Sequence, residues 1–236
     1  MKVDIYSDVA CPWCYVGKER FERALAAFPQ AGDVEVSYRP FQLNPAMSDE
    51  PQSLYEYYDE RFGPGFRDNH ARISDVAADE GLEFHMDVAL AVNTFTAHRL
   101  LWLTLQNYGA QTQRDLKSAL MRTYFSDGGN VNDTDTLVRL AEEVGVDGDT
   151  ARAWLTSDDG VDDVKAELDQ AHEIGINSVP TFVFEGKWAV QGAQPTSAFL
   201  QVLEQIKAAA PVSDGAVSDG TSGDDAAACT DDSCAI

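Results

Sequence analysis

Cys11 and Cys14 stand three positions apart in Cys11-Pro12-Trp13-Cys14, directly after a segment in which Val3, Ile5 and Val9 are the apolar positions. Two sulfurs at this spacing can close a disulfide across almost one helical turn. Such a pair can exchange electrons with another disulfide, one thiolate attacking and the other thiol resolving. Pro12 suits the first position of a helix, where no intrahelical N–H partner is lost. The cysteines therefore fall at a strand-to-helix junction, where unpaired N–H groups and the positive end of the helix dipole face the first sulfur. The expectation is a Cys11 pKa below that of a free thiol, with Cys11 attacking and Cys14 resolving. A Cys-x-x-Cys can also be half of a zinc site or an inert disulfide. Structural zinc takes four ligands. The remaining cysteines, Cys229 and Cys234, are distant in sequence, and no His-x-x-x-His is present. No metal site and no cofactor is expected, and the redox dithiol is the favoured reading.

The elements that must position this pair can be read on either side of it. Residues 2–7 form a strand, 12–28 a helix with Trp13, Val16, Phe21, Leu25 and Phe28 at helical spacings, and 34–38 a half-buried strand. Strand, helix and strand make a βαβ unit with parallel strands. From residue 48 to 172 the pattern is helical throughout: 54–62, 68–80, 91–108, 111–125, 134–144, 149–156 and 159–173, punctuated by Gly81, Gly109, Gly128, Gly129, Gly145 and Gly160. A strand at 181–184, a turn at 185–187 and a strand at 188–190 make a hairpin, and a helix over 195–209 closes the pattern. Neither end can bury a core alone. One discontinuous domain (1–47 and 173–209) is expected, interrupted by an all-helical insertion (48–172). Residues 210–236 are rich in Ser, Asp, Gly and Ala and read as a disordered acidic tail.

The chain has 236 residues with 40 acidic against 17 basic side chains, a formal charge of −23. That sign disfavours nucleic acid as a partner. Acidity spread along the whole length is expected of a protein adapted to high salt. Asp4 and Asp8 interrupt any apolar leader, and no stretch approaches the length of a membrane span. A cytoplasmic protein without a membrane partner is expected, and in a reducing compartment a Cys-x-x-Cys reads as catalytic. His98, on a helix of the insertion, is either a proton acceptor or ligand-pocket residue facing the dithiol, or a histidine satisfied in the core. His70, His85 and His172 are expected to face solvent.

Residues 7–18, Ser-Asp-Val-Ala-Cys-Pro-Trp-Cys-Tyr-Val-Gly-Lys, together with Asn44-Pro45, Ala97-His98-Arg99-Leu100, Val179-Pro180 and residues 190–194, carry a resemblance. Over residues 1 to about 208 the chain resembles the DsbA-like branch of the thioredoxin superfamily, in particular its FrnE-type members. The resemblance implies an α/β thioredoxin-like fold with a large helical insertion, and thiol–disulfide oxidoreductase or isomerase activity on a protein or small-thiol disulfide. It also implies a cis Val179–Pro180 bond beside the dithiol, with Pro12, Trp13, Val179, Pro180 and His98 shaping the substrate site. Some FrnE-type proteins carry a C-terminal cysteine pair, which makes Cys229 and Cys234 candidates for an accessory redox pair. Two other functions are open. The 2-hydroxychromene-2-carboxylate isomerases and glutathione-transferase-like enzymes resemble this chain in fold and insertion, but usually place Ser where a redox enzyme needs Cys. A non-enzymatic holdase would keep its activity without Cys11 and Cys14.

Overall fold

The computed structural model describes residues 1–63 and 65–209. The expected tail, with Cys229 and Cys234, lies outside the described residues.

The site is built on a four-stranded sheet of β1 (Lys2–Ser7), β2 (Glu35–Pro40), β5 (Thr181–Phe184) and β6 (Trp188–Gln191), in the order β2-β1-β5-β6. β1 pairs parallel to β2, with Ser7 opposite Pro40, and antiparallel to β5, with Val3 opposite Phe184. The parallel pair requires a crossover, supplied by α1 (Pro12–Ala27). Val3, Ile5 and Ser7 point to the buried side of β1, as the period of two dictates. A cluster of rings joins the sheet to α1 and to α8 (Thr196–Ala209): Phe182 and Phe199 lie 4.5 Å apart and Phe21 sits 5.3 and 5.5 Å from them.

The insertion contains α2 (Leu54–Phe62), α3 (Phe66–Asp79), α4 (Phe95–Arg122), α5 (Thr134–Glu143), α6 (Gly148–Thr156) and α7 (Val161–Glu173). It is not all helical as expected. Gln52–Ser53 (β3) and Leu90–Ala91 (β4) pair antiparallel. Two-residue strands are too short to show alternation, so local pattern could not reveal them. α4 is continuous in outline but turns at Gly109, whose φ of +87° favours glycine. A straight helix would hold His98 and Lys117 about 28 Å apart. The bend returns the second arm (110–122) to the sheet, so that His98 reaches Asp8 and Lys117 reaches Ser7 O. The expected helix through residue 125 gives way to a π-turn over Thr123–Asp127, where His85 N donates to Phe125 O at 2.7 Å. Among the described residues, no helix is long and apolar enough to cross a membrane.

Two devices fix the insertion to the sheet. Glu80, just beyond α3, binds Arg20 (2.6 Å) and Arg23 on α1, and Arg20 also donates to Ala193 O at 2.7 Å. Gln113 behaves as a missing strand: its Oε1 accepts from Tyr38 N at 2.8 Å and its Nε2 donates to Tyr38 O at 2.9 Å. This satisfies the outer side of β2, where unpaired backbone would otherwise be buried. Gln113→Leu should therefore lower stability by about 2–5 kcal/mol, because two buried backbone groups lose their partners. Denaturant unfolding measures this; a midpoint equal to that of the parent would overturn the account.

Candidate active site

Asp8, Val9 and Ala10 carry the chain out of β1 and into the start of α1. Cys11 is the N-cap, extended at φ −95° and ψ 112°, with Pro12 in the first turn. The Cys14 N–H points back at Cys11, 3.3 Å from Sγ and 3.0 Å from the carbonyl oxygen. Both cysteines are free thiols, 3 % and 2 % exposed. They differ in what they face. Cys11 lines a groove of about 610 Å³; Cys14 is not among its lining residues. Cys11 is therefore the sulfur that faces the groove.

The Val179–Pro180 peptide is cis, as the resemblance implied. Cys11 Sγ lies 3.9 Å from Val179 O. A Cβ on Gly17 would fall 2.9 Å from Pro180 Cγ, so the glycine in α1 admits the proline ring and lets this loop close on the dithiol. Val179 lines the groove with Pro12 and Trp13, whereas Pro180 does not line it and lies against Gly17. Trp13 (46 % exposed) and Leu43 (53 %) form an apolar rim, and Ile73, Met86 and Phe125 line the interior. Among the described residues, Arg72 is the one lining side chain that carries a permanent charge.

The expected fall in the Cys11 pKa is not found. The hydrogen bond with the Cys14 side chain, then burial, then the charges of Cys14 and Asp8 push the thiol well up. The Cys14 backbone N–H opposes them. The Cys14 N–H at the start of the helix acts in the anticipated direction, but the Cys14 thiol, desolvation and neighbouring negative charge outweigh it. Cys14 and Asp8 are neighbours of Cys11 along the chain; the burial of the sulfur is what local pattern does not give.

Behind the dithiol lies a buried polar cluster. Asp8 accepts from Leu43 N at 2.8 Å and Ala10 N at 3.4 Å, and His98 Nε2 stands 3.2 Å from its carboxylate. Burial acts to raise the Asp8 pKa, but the His98 hydrogen bond, its charge and the Leu43 N–H hold it below the usual carboxylate range. Burial lowers the His98 pKa against the pull of Asp8. His98 is 3 % exposed and does not line the groove. This corrects its assignment to the substrate site: it anchors Asp8 from inside the insertion. Lys117, on the second arm of α4, is fully buried, and burial pushes its pKa down to about 8.

Sequence reasoning missed Asp8, Lys117 and His70 as site residues. Expected in solvent, His70 is 6 % exposed and lines the groove, its ring 5.6 Å from that of Tyr55 and 5.0 Å from that of Tyr58. The signal was present in helical spacing. His70 precedes Ile73 and Ala77 on the buried stripe of α3, and Lys117 shares its stripe with Gln113, Leu116, Leu120 and Met121. A polar residue on an apolar stripe marks a buried partner.

A DSBA-like thioredoxin domain matches residues 2–204. The "probable DsbA oxidoreductase SCO1869" from Streptomyces coelicolor is 36 % identical, with a TM-score of 0.80 over 100 % of this chain and 99 % of that one. YwbO of Bacillus subtilis, itself uncharacterised, is 27 % identical over 85 % of this chain and 94 % of its own length. At 16 % identity, DsbM of Pseudomonas aeruginosa, described as a cytosolic disulfide reductase and solved with GSH, shares the fold with a TM-score of 0.63 over 88 % of this chain and 100 % of that one. The family match runs from the first residues of β1 into α8 and so takes in the dithiol, the cis-proline loop and the helical insertion, and the chain belongs to the DSBA-like thioredoxin domain family.

Proposed function

We propose that this protein is a thiol–disulfide oxidoreductase that acts on protein disulfides through Cys11 and Cys14. The observation that carries the reading is the asymmetry of the pair: Cys11 opens on a groove, and Cys14 stands directly behind it. Cys11 thiolate attacks the substrate disulfide and forms a mixed disulfide. Cys14 then attacks Cys11 Sγ and releases the second substrate thiol. Val179 lies where the backbone of an extended substrate can run beside Cys11. The apolar lining suits a segment of unfolded chain better than a small, highly charged thiol, which Arg72 alone would have to hold. The presence of both cysteines favours this chemistry over that of the isomerases, which the fold alone does not exclude.

Reduction of insulin disulfides by dithiothreitol tests the proposal. The protein should accelerate insulin precipitation well beyond dithiothreitol alone, and no acceleration would overturn the reading. The assay belongs in molar KCl. With 40 acidic and 17 basic residues the chain repels itself at low ionic strength. Salt shortens the range of that repulsion from about 30 Å at 0.01 M to about 3 Å at 1 M. Adaptation to high salt is part of the proposal, and a melting temperature indifferent to KCl would contradict it.

Cys229 and Cys234 enter as a second exchanging pair. α8 ends at Ala209, in a cavity shared with Met1 and Trp188, at the end of β1 away from Cys11. The chain from there to Cys229 can span about 60 Å at full extension, enough to reach the dithiol. Truncation after Ala210 should leave a single turnover at Cys11 intact and change steady-state turnover with a thiol reductant. Unchanged turnover, with no trapped disulfide between Cys11 and either tail cysteine, would remove the tail from the mechanism.

A further inference from the structure

In a chain with 40 acidic side chains, an arginine without a carboxylate partner is the exception. Among the described residues, eight of the eleven arginines have a carboxylate oxygen at 3.7 Å or less; the other three are Arg61, Arg72 and Arg99. Arg99 is 8 % exposed, and its guanidinium donates to Trp154 O and Ser157 O. Arg61 and Arg72 are exposed, and both stand near the dithiol: Arg72 lines the groove, and Arg61 lines a smaller cavity beside it. The two hollows share Ala10, Leu43, Leu54 and Tyr58, so the smaller one borders the residue that precedes Cys11.

The smaller cavity, of about 180 Å³, is lined by hydrogen-bond donors. Tyr57 and Arg61 stand one helical turn apart on α2. The Tyr57 hydroxyl oxygen accepts from Asn44 Nδ2 at 2.9 Å and from Arg61 at 3.3 Å, which leaves its own O–H to donate. Tyr124, in the π-turn after α4, is 2 % exposed and lines the same cavity, and among the described residues its hydroxyl makes no hydrogen bond. Burial, then Tyr58, Asp8 and Tyr57, raise its pKa, so the phenol stays a donor. Asp8 is the one negative charge that lines the cavity among the described residues, and its carboxylate is already bonded by Leu43 N, Ala10 N and His98. A guanidinium fork and two phenol O–H groups that await an acceptor make a site for a carboxylate.

We propose that this cavity takes the carboxylate of a Glu or Asp side chain of the substrate polypeptide, close in sequence to the attacked cysteine. The inference rests on the functional reading above and names its substrate class: disulfides flanked by acidic residues. Arg61 carries the contact, Tyr57 and Tyr124 donate to the same carboxylate, and the apolar groove holds the neighbouring side chains. A chain of charge −23 repels an acidic partner as a whole; Arg61 and Arg72 reverse the sign where the substrate must sit. In molar salt, attraction beyond about 3 Å is screened, so direct contact in a cavity is what remains to discriminate.

Peptides with one cysteine, activated as the mixed disulfide with 2-thiopyridine, provide the test. Attack by Cys11 of the reduced full-length protein joins Cys11 to the peptide sulfur and releases 2-thiopyridone, whose absorbance gives the rate. Glu or Gln is placed at each of the two positions on either side of the peptide cysteine, and the reactions run in molar KCl. Each rate is divided by that of the same peptide with dithiothreitol, which removes the effect of Glu on the disulfide itself. At one position or more, Glu should react about ten-fold faster than Gln, as a charge-assisted contact allows. In Arg61→Gln this ratio should fall to within two-fold of one, and in Arg61→Glu the preference should pass to Lys at that position. The ratio is read within each variant, so a general loss of activity does not enter it. No preference for Glu at any position in the parent, or a preference that survives in Arg61→Gln, would overturn the inference. So would an Arg61→Gln protein that reacts more slowly with oxidised glutathione but not with the Glu peptide, since the cavity would then serve a small thiol. Should the parent react with none of the peptides, the functional reading fails first, and the two failures are thereby distinguished.

Discussion

Cys11→Ser should reduce insulin turnover to the level of the enzyme-free control, while Cys14→Ser should accumulate a mixed disulfide on Cys11 that intact-mass analysis detects. Both outcomes follow from which sulfur faces the groove. Without Cys11 no nucleophile meets the substrate; without Cys14 attack proceeds and resolution does not. The raised Cys11 pKa adds a pH dependence that a helix N-terminus alone would not give. Below its pKa a thiol gains about ten-fold in thiolate per pH unit, so alkylation of Cys11 should climb steadily from pH 6 to 9 rather than level off near neutrality. The largest upward influence on that pKa is the Cys14 side chain, so Cys11 in Cys14→Ser should alkylate faster at pH 7 than in the parent. Mixed disulfide trapped on Cys14 in the Cys11→Ser protein would reverse the assignment of roles.

What the sequence made legible was what neighbours along the chain decide. The strand at 181–184, the helix at 54–62 and the break at Gly109 follow from periodicity and from a backbone conformation that glycine takes freely. The placement of Cys11 ahead of α1 follows from Pro12. What failed was decided across the chain. β3 and β4 pair residues almost forty positions apart. Gln113 reads locally as an ordinary polar helix residue, yet it completes β2. Sequence leaves His98 open between a pocket residue and a histidine satisfied in the core; Asp8, which holds it behind the turn, decides for the second. The Cys11 pKa departs from expectation first through the hydrogen bond with the Cys14 side chain and then through burial, which depends on the insertion closing over the dithiol. The dipole of α1 and the second thiol are both visible in the sequence; the desolvation of Cys11 is not.

Lys117→Met should make the protein more stable at neutral pH. In the folded state the Lys117 pKa falls from 10.5 to about 8, and burial is the largest cause. The unfolded chain therefore binds the proton more tightly than the folded one, and stability in the parent rises with pH between about 8 and 10.5. Below pH 8 both states are protonated and the full penalty is present, about 3 kcal/mol at 1.36 kcal/mol per pKa unit. Above pH 10.5 both states are neutral and it vanishes. Methionine fills a similar volume with no charge to desolvate, and replacing buried charge by a well-packed apolar side chain commonly stabilises by about 1–4 kcal/mol. For a chain of this size that corresponds to a rise in Tm of roughly 3–12 °C. The advantage should be largest at pH 7, shrink between pH 8 and 10, and be absent above pH 10.5. Thermal unfolding of the reduced protein across that range measures it. A lysine retained only for packing would make Lys117→Met less stable at every pH. A variant that is more stable, with an advantage that fades between pH 8 and 10.5, would show that burying this charge costs the fold more than the packing of the lysine stem returns.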